Sequence, residues 1–340
     1  MKKAIVKLLM AGTEGWAAAD AQTLDGLTLS DSLDQVEQLF GGDCLLQDLK
    51  SNFTVDYYNQ SEWGYRLIHS PEGSIHLALN FDGRFHPEGY YAQACMVAEQ
   101  IEANQAKAVL EVGSGKGFNS LFLAEKYPTV QFTGIDLTPL HVKLASQKAS
   151  ALGNLEFKLG DFNRLDLPDQ SVDVLFGVEC FCYAQNPEQV LKEVFRVLRP
   201  GGQCIAFDGY LREPLLHYPQ DLQKATSFTE VSMAVQDGFI EAGVWKDAAI
   251  AAGFEVEMCQ DLTDAVQPNL RRLRKISLLF FNRSLRARIL TFLMPKYLVR
   301  NAIAGLLMPF VFNPDASKGS LGYYAWVLRR PAQYSGSQAA

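Results

Sequence analysis

The chain has 340 residues, of which 48% are hydrophobic and 20% charged, and its formal net charge is −7. These values indicate a globular protein of one large or two small domains, and the acidic balance argues against a general nucleic-acid binder. Its six cysteines are scattered, with neither a disulfide framework nor a Cys-x-x-Cys pair. This pattern favours a reducing cytoplasm, and nothing in the sequence indicates a bound metal.

The N-terminal region predicts helices, not a targeting segment. Lys7 and Glu14 interrupt the apolar residues near the start, so the apolar stretch is too short for a signal peptide. No run in the chain reaches the roughly 18 apolar residues that a transmembrane helix needs. We therefore expect a soluble, cytoplasmic protein in which "TLSDSLDQVEQLF" forms a capped amphipathic helix.

Strands and helices are predicted to alternate from Val109 onwards. The strands are predicted at "AVLEV", "VQFTGID", "LEFKLGD", "VDVLFGVE", "QCIAFDG", "GFEVEMCQDLT" and "YYAWVLRR". Pro139 and Pro187 stand at the first positions of two helices between them, and a Pro-Gly-Gly is expected to stop the second. This pattern predicts an α/β fold with a doubly wound, mostly parallel, seven-stranded, Rossmann-like sheet. The core covers 101–264 and 321–332, with a helical extension before it (1–100) and a helical insertion at 265–320.

The first strand leads directly into a glycine-rich loop, "EVGSGKGF". Such a loop lets a ligand approach the backbone closely and offers the free N–H groups of a helix N-terminus. The spacing is G-x-G-x-G, and Phe118 stands where a dinucleotide-binding fingerprint has its third glycine. The loop therefore predicts an anion or nucleoside site of another kind.

Three carboxylates stand in register with this loop. Asp136 ends the second strand, where it can accept both hydroxyls of a ribose, and Asp161 follows the third strand, where it can accept from an adenine amino group. Phe162 can donate its backbone N–H to the same base. Glu111 lies inside an apolar strand, so basic or N–H-rich groups should face it. Together these residues predict a pocket for adenosine with an amino-acid tail.

The stretch from about 108 to 207 resembles the class I S-adenosylmethionine (SAM)-dependent methyltransferase family. "LEVGSGKG" matches the glycine motif, "GID" the ribose motif, "GDF" the adenine motif and "VLRPGG" the late helix and turn. The resemblance implies SAM as the cofactor. The cofactor-binding residues that it implies are Glu111, Gly113, Ser114, Gly115, Gly117, Asp136, Leu137, Asp161 and Phe162.

A second, partial resemblance is to the sterol and related isoprenoid C-methyltransferases. Glu179, Cys182 and Ala184 in "VECFCYA" stand in the order found in that subfamily, and "YYNQSEWGY" is similar to its aromatic segment. The aromatic cluster is shorter here, and the run "HSPEGSIH" has no counterpart in the subfamily. The resemblance implies a hydrophobic acceptor methylated at carbon.

Methylation of an alkene carbon creates a carbocation, which needs π faces, a carboxylate and a base. Glu179 can supply the charge, and His69 or His76 can take the proton because an ordinary histidine titrates near neutral pH. Tyr58 is the aromatic candidate in the predicted catalytic set. The other aromatic candidates are Tyr57, Trp63, Tyr65, Phe181 and Tyr183.

The segment from Asp264 to Asp315 contains nine basic residues and no acidic residue between its ends. Three interpretations stay open: contact with an anionic membrane through 265–312, a cover over an apolar substrate with arginines meeting a phosphate, or a solvated helical lid. Each predicts an apolar acceptor region, to which residues 1–100 also contribute. A homodimer is left open.

Two further functions remain open beside carbon methylation. O- or N-methylation of a phenolic, prenylquinol or amine compound would need only a base such as His69 or His76. A protein that binds SAM without methyl transfer is the other alternative. Nucleic-acid methylation is disfavoured by the acidic charge and by the lack of an Asn-Pro-Pro-Tyr or Pro-Cys motif.

Overall fold

The computed structural model describes residues 26–42, 54–65, 69–70, 72–281, 291 and 295–332. Seven strands form one sheet in the order β3-β2-β1-β4-β5-β7-β6. The strands are β1 (Ala108–Val112), β2 (Gln131–Asp136), β3 (Leu155–Leu159), β4 (Val172–Val178), β5 (Leu198–Leu211), β6 (Glu255–Asp261) and β7 (Leu321–Arg329). Strands β1 to β5 are parallel, whereas β7 runs antiparallel between β5 and β6. The predicted doubly wound, mostly parallel sheet is confirmed.

The described residues contain ten α-helices. They are α1 (Leu29–Phe40), α2 (Thr54–Gly64), α3 (Ala92–Ala103), α4 (Phe118–Lys126), α5 (Pro139–Ala149), α6 (Pro187–Val197), α7 (Gln220–Ser232), α8 (Ala242–Ala251), α9 (Thr263–Phe281) and α10 (Lys296–Val311). Side-chain caps mark where two of these helices begin. Thr28 and Asp31 form a reciprocal capping box at α1, and the Asn186 side chain accepts from the Gln189 N–H at α6.

The end of α6 differs from the prediction. The helix ends at Val197, and β5 already begins at Leu198, so the Pro-Gly-Gly at 200–202 lies inside that strand and does not itself stop the helix. The strand begins early because Leu198 already lies opposite Val172 of β4. Residues 199–202 then form an irregularity before Gln203 pairs with Val174, and Gly201 has a φ of +82° within it. The Pro-Gly-Gly thus keeps a turn-like conformation as a bulge between two paired positions.

Apolar side chains cover both faces of the sheet, as parallel strands require. Along β4, Val174 and Phe176 belong to one core cluster, and Leu175 between them belongs to the other. This alternation follows from the two-residue period of a strand. The carboxyl ends of β1, β2, β4 and β5 therefore meet at one edge, where the helices leave room for ligands.

The inserted helices α9 and α10 pack on each other, and α10 also packs on α7 and α2. Not all of their basic residues face solvent. Arg274 is buried, donates to the carbonyl oxygens of Leu306 (2.8 Å) and Leu27 (3.0 Å), and lies over the Phe310 ring. Some of the positive charge thus serves to hold the insertion to the rest of the chain. No helix within the described ranges has the length and apolar character needed to cross a membrane.

A substitution at Gly117 would measure how tightly the glycine loop is packed. Its φ is +78°, and a Cβ there would lie 2.5 Å from the Phe157 ring and 3.1 Å from Ala145 Cβ. Gly117→Ala is expected to lower the free energy of unfolding by about 2–4 kcal/mol, since strain and overpacking combine. Gly153→Ala is the matched control, because no atom lies within 4 Å of its Cβ position. Equal urea midpoints for the two variants would contradict this packing account.

Candidate active site

The glycine loop connects β1 to α4 with three residues in left-handed conformations. The φ angles of Gly113, Gly115 and Gly117 are 63°, 52° and 78°. Only glycine adopts this region readily, so the loop conformation itself explains these positions. The Gly117 N–H donates to the Ser114 carbonyl, which closes the turn before α4.

The chain's own side chains, as well as any ligand, occupy the space beside these glycines. A Cβ on Gly113 would overlap Cys180 Cβ, and one on Gly115 would lie 2.8 Å from Ile75 Cδ1. Of the three, only Gly113 lines the first cavity of the site. Packing against Ile75 and Phe157 thus also explains Gly115 and Gly117. The contact of all three glycines with the cofactor stays a prediction.

Asp136, at the end of β2, is tied to the glycine loop. Its carboxylate accepts from the backbone N–H of Gly115 (2.8 Å) and of Thr138 (2.7 Å), and its Oδ1 lies 3.5 Å from Nδ1 of His141. Burial acts to raise the pKa of Asp136, but His141 and the two N–H donors outweigh it and hold this pKa below its usual value. A carboxylate thus lines the first cavity in ionised form.

Glu111 and Ser114 do not line that cavity. The Glu111 carboxyl accepts from Asn119 Nδ2 (3.0 Å) and from the backbone and side chain of Ser120 (3.2 and 2.5 Å). The expectation of N–H-rich partners is met, but the partners belong to the first turn of α4. Burial raises the pKa of Glu111 to about 7. As placed here, Glu111 joins β1 to the first turn of α4. Its contact with the cofactor stays a prediction.

The first cavity has a volume of about 240 Å³ and opens at the carboxyl edge of the sheet. Its lining includes Gly113, Asp136, Leu137, Asp161 and Phe162. Asp161 Oδ1 already accepts from the Asn163 N–H (2.8 Å). This set fits the parts of SAM: carboxylates for nucleoside hydroxyl and amino groups, an aromatic side chain for the base, and bare backbone for the methionine portion.

Glu179 directly follows β4 and has an unusual backbone conformation. Its φ is +52°, a conformation that costs a non-glycine residue about 1–3 kcal/mol. Its Oε1 accepts from the Leu77 N–H (2.7 Å) and from the Tyr323 hydroxyl (3.0 Å). Burial raises the pKa of Glu179 to about 8, with the nearby Asp208 adding to the shift. Glu179 is therefore largely protonated at neutral pH.

Four tyrosines of the predicted aromatic group come together beside Glu179. Tyr57, Tyr58, Tyr65 and Tyr183 all line the first cavity, and the rings of Tyr58 and Tyr65 stack with centroids 6.3 Å apart. Phe181 does not join them, because it is buried against Trp245 and Phe162 in the core. The Trp63 side chain lies outside the described residues.

The two candidate histidines are held by backbone carbonyl groups. His69 Nε2 donates to the His76 carbonyl (2.8 Å), and His76 Nε2 donates to the Tyr90 carbonyl (2.9 Å). The Ser74 hydroxyl lies 3.2 Å from the remaining His76 nitrogen. Burial lowers the pKa of both histidines to about 4. Each is a weak base, and His76 has both nitrogens engaged, so the geometry does not favour the predicted proton transfer.

A second cavity, of about 180 Å³, adjoins the first and shares Tyr57, Tyr65 and Glu179 with it. Its outer walls come from α9 and α10, with Phe280 and Leu298 among the apolar side chains. The described lining contains no lysine or arginine. The insertion therefore forms a wall of this apolar space, and no arginine is placed in the lining to meet a phosphate. A role as a cover over the substrate and contact with a membrane both stay predictions.

Sequence analysis missed several residues of this region. Asp208, in "AFDG" of β5, accepts from the Cys182 N–H (2.9 Å) and lines the first cavity. Asp208 could have been predicted, because it is a single charged residue in an apolar run, as Glu111 is. Tyr323, which donates to Glu179, carried no such signal, because a polar aromatic residue in a strand is ordinary. Among the described residues, no cluster of His, Cys, Asp or Glu could hold a metal.

Comparison with known proteins agrees with this geometry. Residues 110–206 match the methyltransferase domain family. The chain is 41% identical over 103 residues to a phthiotriol/phenolphthiotriol dimycocerosates methyltransferase of Mycobacterium leprae, covering 30% of this chain and 37% of that protein. It is 28% identical over 253 residues to 24-methylenesterol C-methyltransferase 2 of Oryza sativa subsp. japonica, covering 71% and 65%.

A solved structure of similar fold is the mycolic acid cyclopropane synthase CmaA1 complexed with SAH and CTAB. The TM-score is 0.67 at 17% identity, covering 82% of this chain and 99% of that one. The chain contains a methyltransferase domain of the class I SAM-dependent type, with SAM as its cofactor. It resembles the sterol C-methyltransferases. The matches span less than two thirds of the length of the curated relatives.

Asp136→Asn tests the cofactor side of the site. One amide N–H₂ would face the N–H groups of Gly115 or Thr138, and the negative charge would be lost. The dissociation constant for S-adenosylhomocysteine, measured by calorimetry, is expected to rise about tenfold to a hundredfold. Asp82→Asn is the control, because Asp82 also accepts a backbone N–H but lies in an exposed loop. Unchanged affinity in Asp136→Asn would remove Asp136 from the cofactor site.

Proposed function

We propose that the protein transfers a methyl group from SAM to an alkene carbon of a hydrophobic acceptor, a sterol or another isoprenoid. The observation that carries the proposal is the position of Glu179, a buried carboxyl group at the junction of two cavities. The first cavity fits the cofactor, and the second, apolar cavity fits a hydrocarbon acceptor. The relatives named for sterol methylation support the same acceptor class.

When bound, SAM supplies an electrophilic methyl group and retains the electron pair of the broken S–C bond as S-adenosylhomocysteine. The π pair of the acceptor alkene forms the new C–C bond, which leaves a cation on the neighbouring carbon. The Glu179 carboxylate then removes a proton from a carbon beside the cation, and the released C–H pair forms a new alkene. Glu179 suits this task because its Oε1 is held by Leu77 and Tyr323.

The side chains around Glu179 favour a cation over an anion. The rings of Tyr57, Tyr58, Tyr65 and Tyr183 can face the cationic carbon, each contact contributing on the order of 0.5–2 kcal/mol. Asp208 adds negative charge from β5. Because the second cavity is apolar, little water reaches the cation to quench it.

The segments 1–100 and 265–320 are proposed to form the acceptor half around a core of 101–264 and 321–332. Helix α2 and the inserted helices α9 and α10 all contribute to the second cavity. The alternative, O- or N-methylation, would need His69 or His76 as base. The low basicity and carbonyl contacts of both histidines give it less support.

Incubation of the protein with methyl-labelled SAM and sterol, prenyl and prenylquinone acceptors is expected to label carbon. Glu179→Gln, which keeps the shape of the side chain, is expected to lower this turnover by about a hundredfold or more. Glu179→Asp keeps the charge and should retain more activity than Glu179→Gln. Calorimetric binding of S-adenosylhomocysteine is the control for folding. Label found only in amines or phenols would overturn carbon methylation.

The pH dependence separates Glu179 from the histidines. A carboxyl with a pKa of about 8 is an active base only when ionised, so its active fraction increases as pH rises. Below pH 8, kcat/KM is expected to rise about tenfold per pH unit and then level off. A histidine base with a pKa of about 4 would instead give a flat profile between about pH 6 and 9. A flat profile would argue against Glu179 as the base.

A further inference from the structure

The second cavity follows helix α10 away from Glu179. Among the described α10 residues in its lining, only Met308 also lines the first cavity. The others lie nearer the N-terminus of the helix and are Leu298, Val299, Asn301, Ala302, Ala304 and Gly305. At about 1.5 Å per residue, the helix axis advances about 15 Å from Met308 to Leu298. The cavity therefore forms a slot that extends along α10, from Met308 at the junction of the two cavities to Leu298.

Helix α10 has one face in the core and another at the slot. Ile303 and Leu307 are buried in the main hydrophobic core and line neither cavity. Leu298, Ala302 and Gly305 stand at positions i, i+4 and i+7, which places them together on the opposite face. All three line the slot. Since Gly305 has no side chain, the slot reaches the backbone of the helix on this face.

Ala302 keeps the slot open part-way along its length. Ala302 and its neighbour Asn301 are partly exposed, whereas residues 298–300 and 303–308 are buried. Because α10 packs against α1, α2, α7 and α9, the exposed surface of Ala302 borders the slot that it lines. Ala302 lies about 9 Å from Met308 and about 6 Å from Leu298 along the helix axis. A side chain larger than a methyl group would therefore narrow the slot between these two residues.

The remaining walls make the slot apolar and narrow at its far end. Helix α9 contributes one of its faces, with Leu273, Ile276, Ser277 and Phe280. At the far end α2 contacts α10 directly, because a Cβ on Gly64 would overlap Cδ1 of Leu298. Glu179, at the junction, is the only Asp, Glu, Lys or Arg in the described lining of this cavity. A hydrocarbon tail fits this slot, whereas a charged group would lose its water without gaining a partner.

We propose that Ala302 is a specificity-determining residue, which limits the length of the hydrocarbon tail that the acceptor extends from the junction at Glu179 towards Leu298. The inference rests on the proposed function, which assigns the second cavity to the acceptor. Burial of apolar surface stabilises a complex in proportion to the area buried, so affinity should increase with tail length as far as the slot is open. The small side chain of Ala302 lets a tail pass beyond the middle of the slot.

The test measures binding of open-chain isoprenoid alcohols that have two or three isoprene units. The full-length protein, saturated with S-adenosylhomocysteine, is titrated with each alcohol in a calorimeter. The hydroxyl group is expected at the junction, where Glu179 and the tyrosines offer hydrogen-bond partners. The two-unit tail is then expected to end before Ala302 and the three-unit tail to pass it. The wild type is expected to bind the longer alcohol about tenfold more tightly, since more apolar surface is buried.

Ala302→Leu is expected to weaken binding of the three-unit alcohol about tenfold to a hundredfold, because the added side chain occupies space that the tail needs. Binding of the two-unit alcohol should stay at the wild-type value. Ala302→Val adds less volume and is expected to give a smaller loss for the same alcohol, which keeps the test available if the leucine variant does not fold. Ala92→Leu is the matched control, because Ala92 is also partly exposed in a helix, packs on the main core and lines neither cavity.

The pattern across the two alcohols decides the outcome. Equal losses for both alcohols in Ala302→Leu, or no loss for either, would make Ala302 an ordinary packing position and overturn the inference. A wild type that does not distinguish the two lengths would overturn it as well.

Methyl transfer, measured separately with labelled SAM, distinguishes this inference from the proposed function. Label only on oxygen or nitrogen, with the length preference lost in Ala302→Leu, would overturn carbon methylation and leave the role of Ala302 in place. Label on carbon, with the length preference retained in Ala302→Leu, would leave carbon methylation in place and overturn the role of Ala302 alone.

Discussion

Desolvation of the Glu179 carboxyl is the constraint on which the acceptor half of the site depends. The residue leaves β4 in a left-handed conformation, and its N–H donates to the Phe207 carbonyl of β5 (2.7 Å). The central strands therefore hold a conformation that is unfavourable in isolation. As a result, the carboxyl group is buried where the two cavities meet, and with a pKa of about 8 it can be neutral or charged near neutral pH. An exposed glutamate could not offer both states near neutral pH.

Most of the fold could be predicted from the sequence because its signals are local. Asn186 with Pro187 marks the start of α6 whatever packs around it, and an apolar run before glycines marks β1. The position of Asp136 at the carboxyl end of β2 then follows from parallel topology. The start of β5 is the exception, since the pairing of Leu198 with Val172 of β4 is a non-local contact that the sequence does not signal.

The acceptor half could not be predicted in the same way because its contacts join distant segments. Leu77 and Tyr323 both donate to Glu179, yet 102 and 144 residues of chain separate them from it. The packing partners of the glycines could not be predicted either. Ile75 and Phe157 fill the space beside Gly115 and Gly117, and both lie about 40 residues away in the chain. Packing partners of this kind have no periodicity that a sequence pattern can reveal.

The cofactor half thus depends on residues close together in the sequence, whereas the proposed acceptor half depends on contacts between distant segments. This difference explains why the methyl donor was easier to predict than the acceptor. The donor site uses one strand-loop-helix unit and the residues at and just after the ends of the next two strands. The proposed acceptor site is built from α2, the inserted helices α9 and α10, and the start of β7 around one carboxyl group. Because a change in the insertion can reshape the second cavity without touching the glycine loop, the core can keep one methyl donor while the acceptor varies.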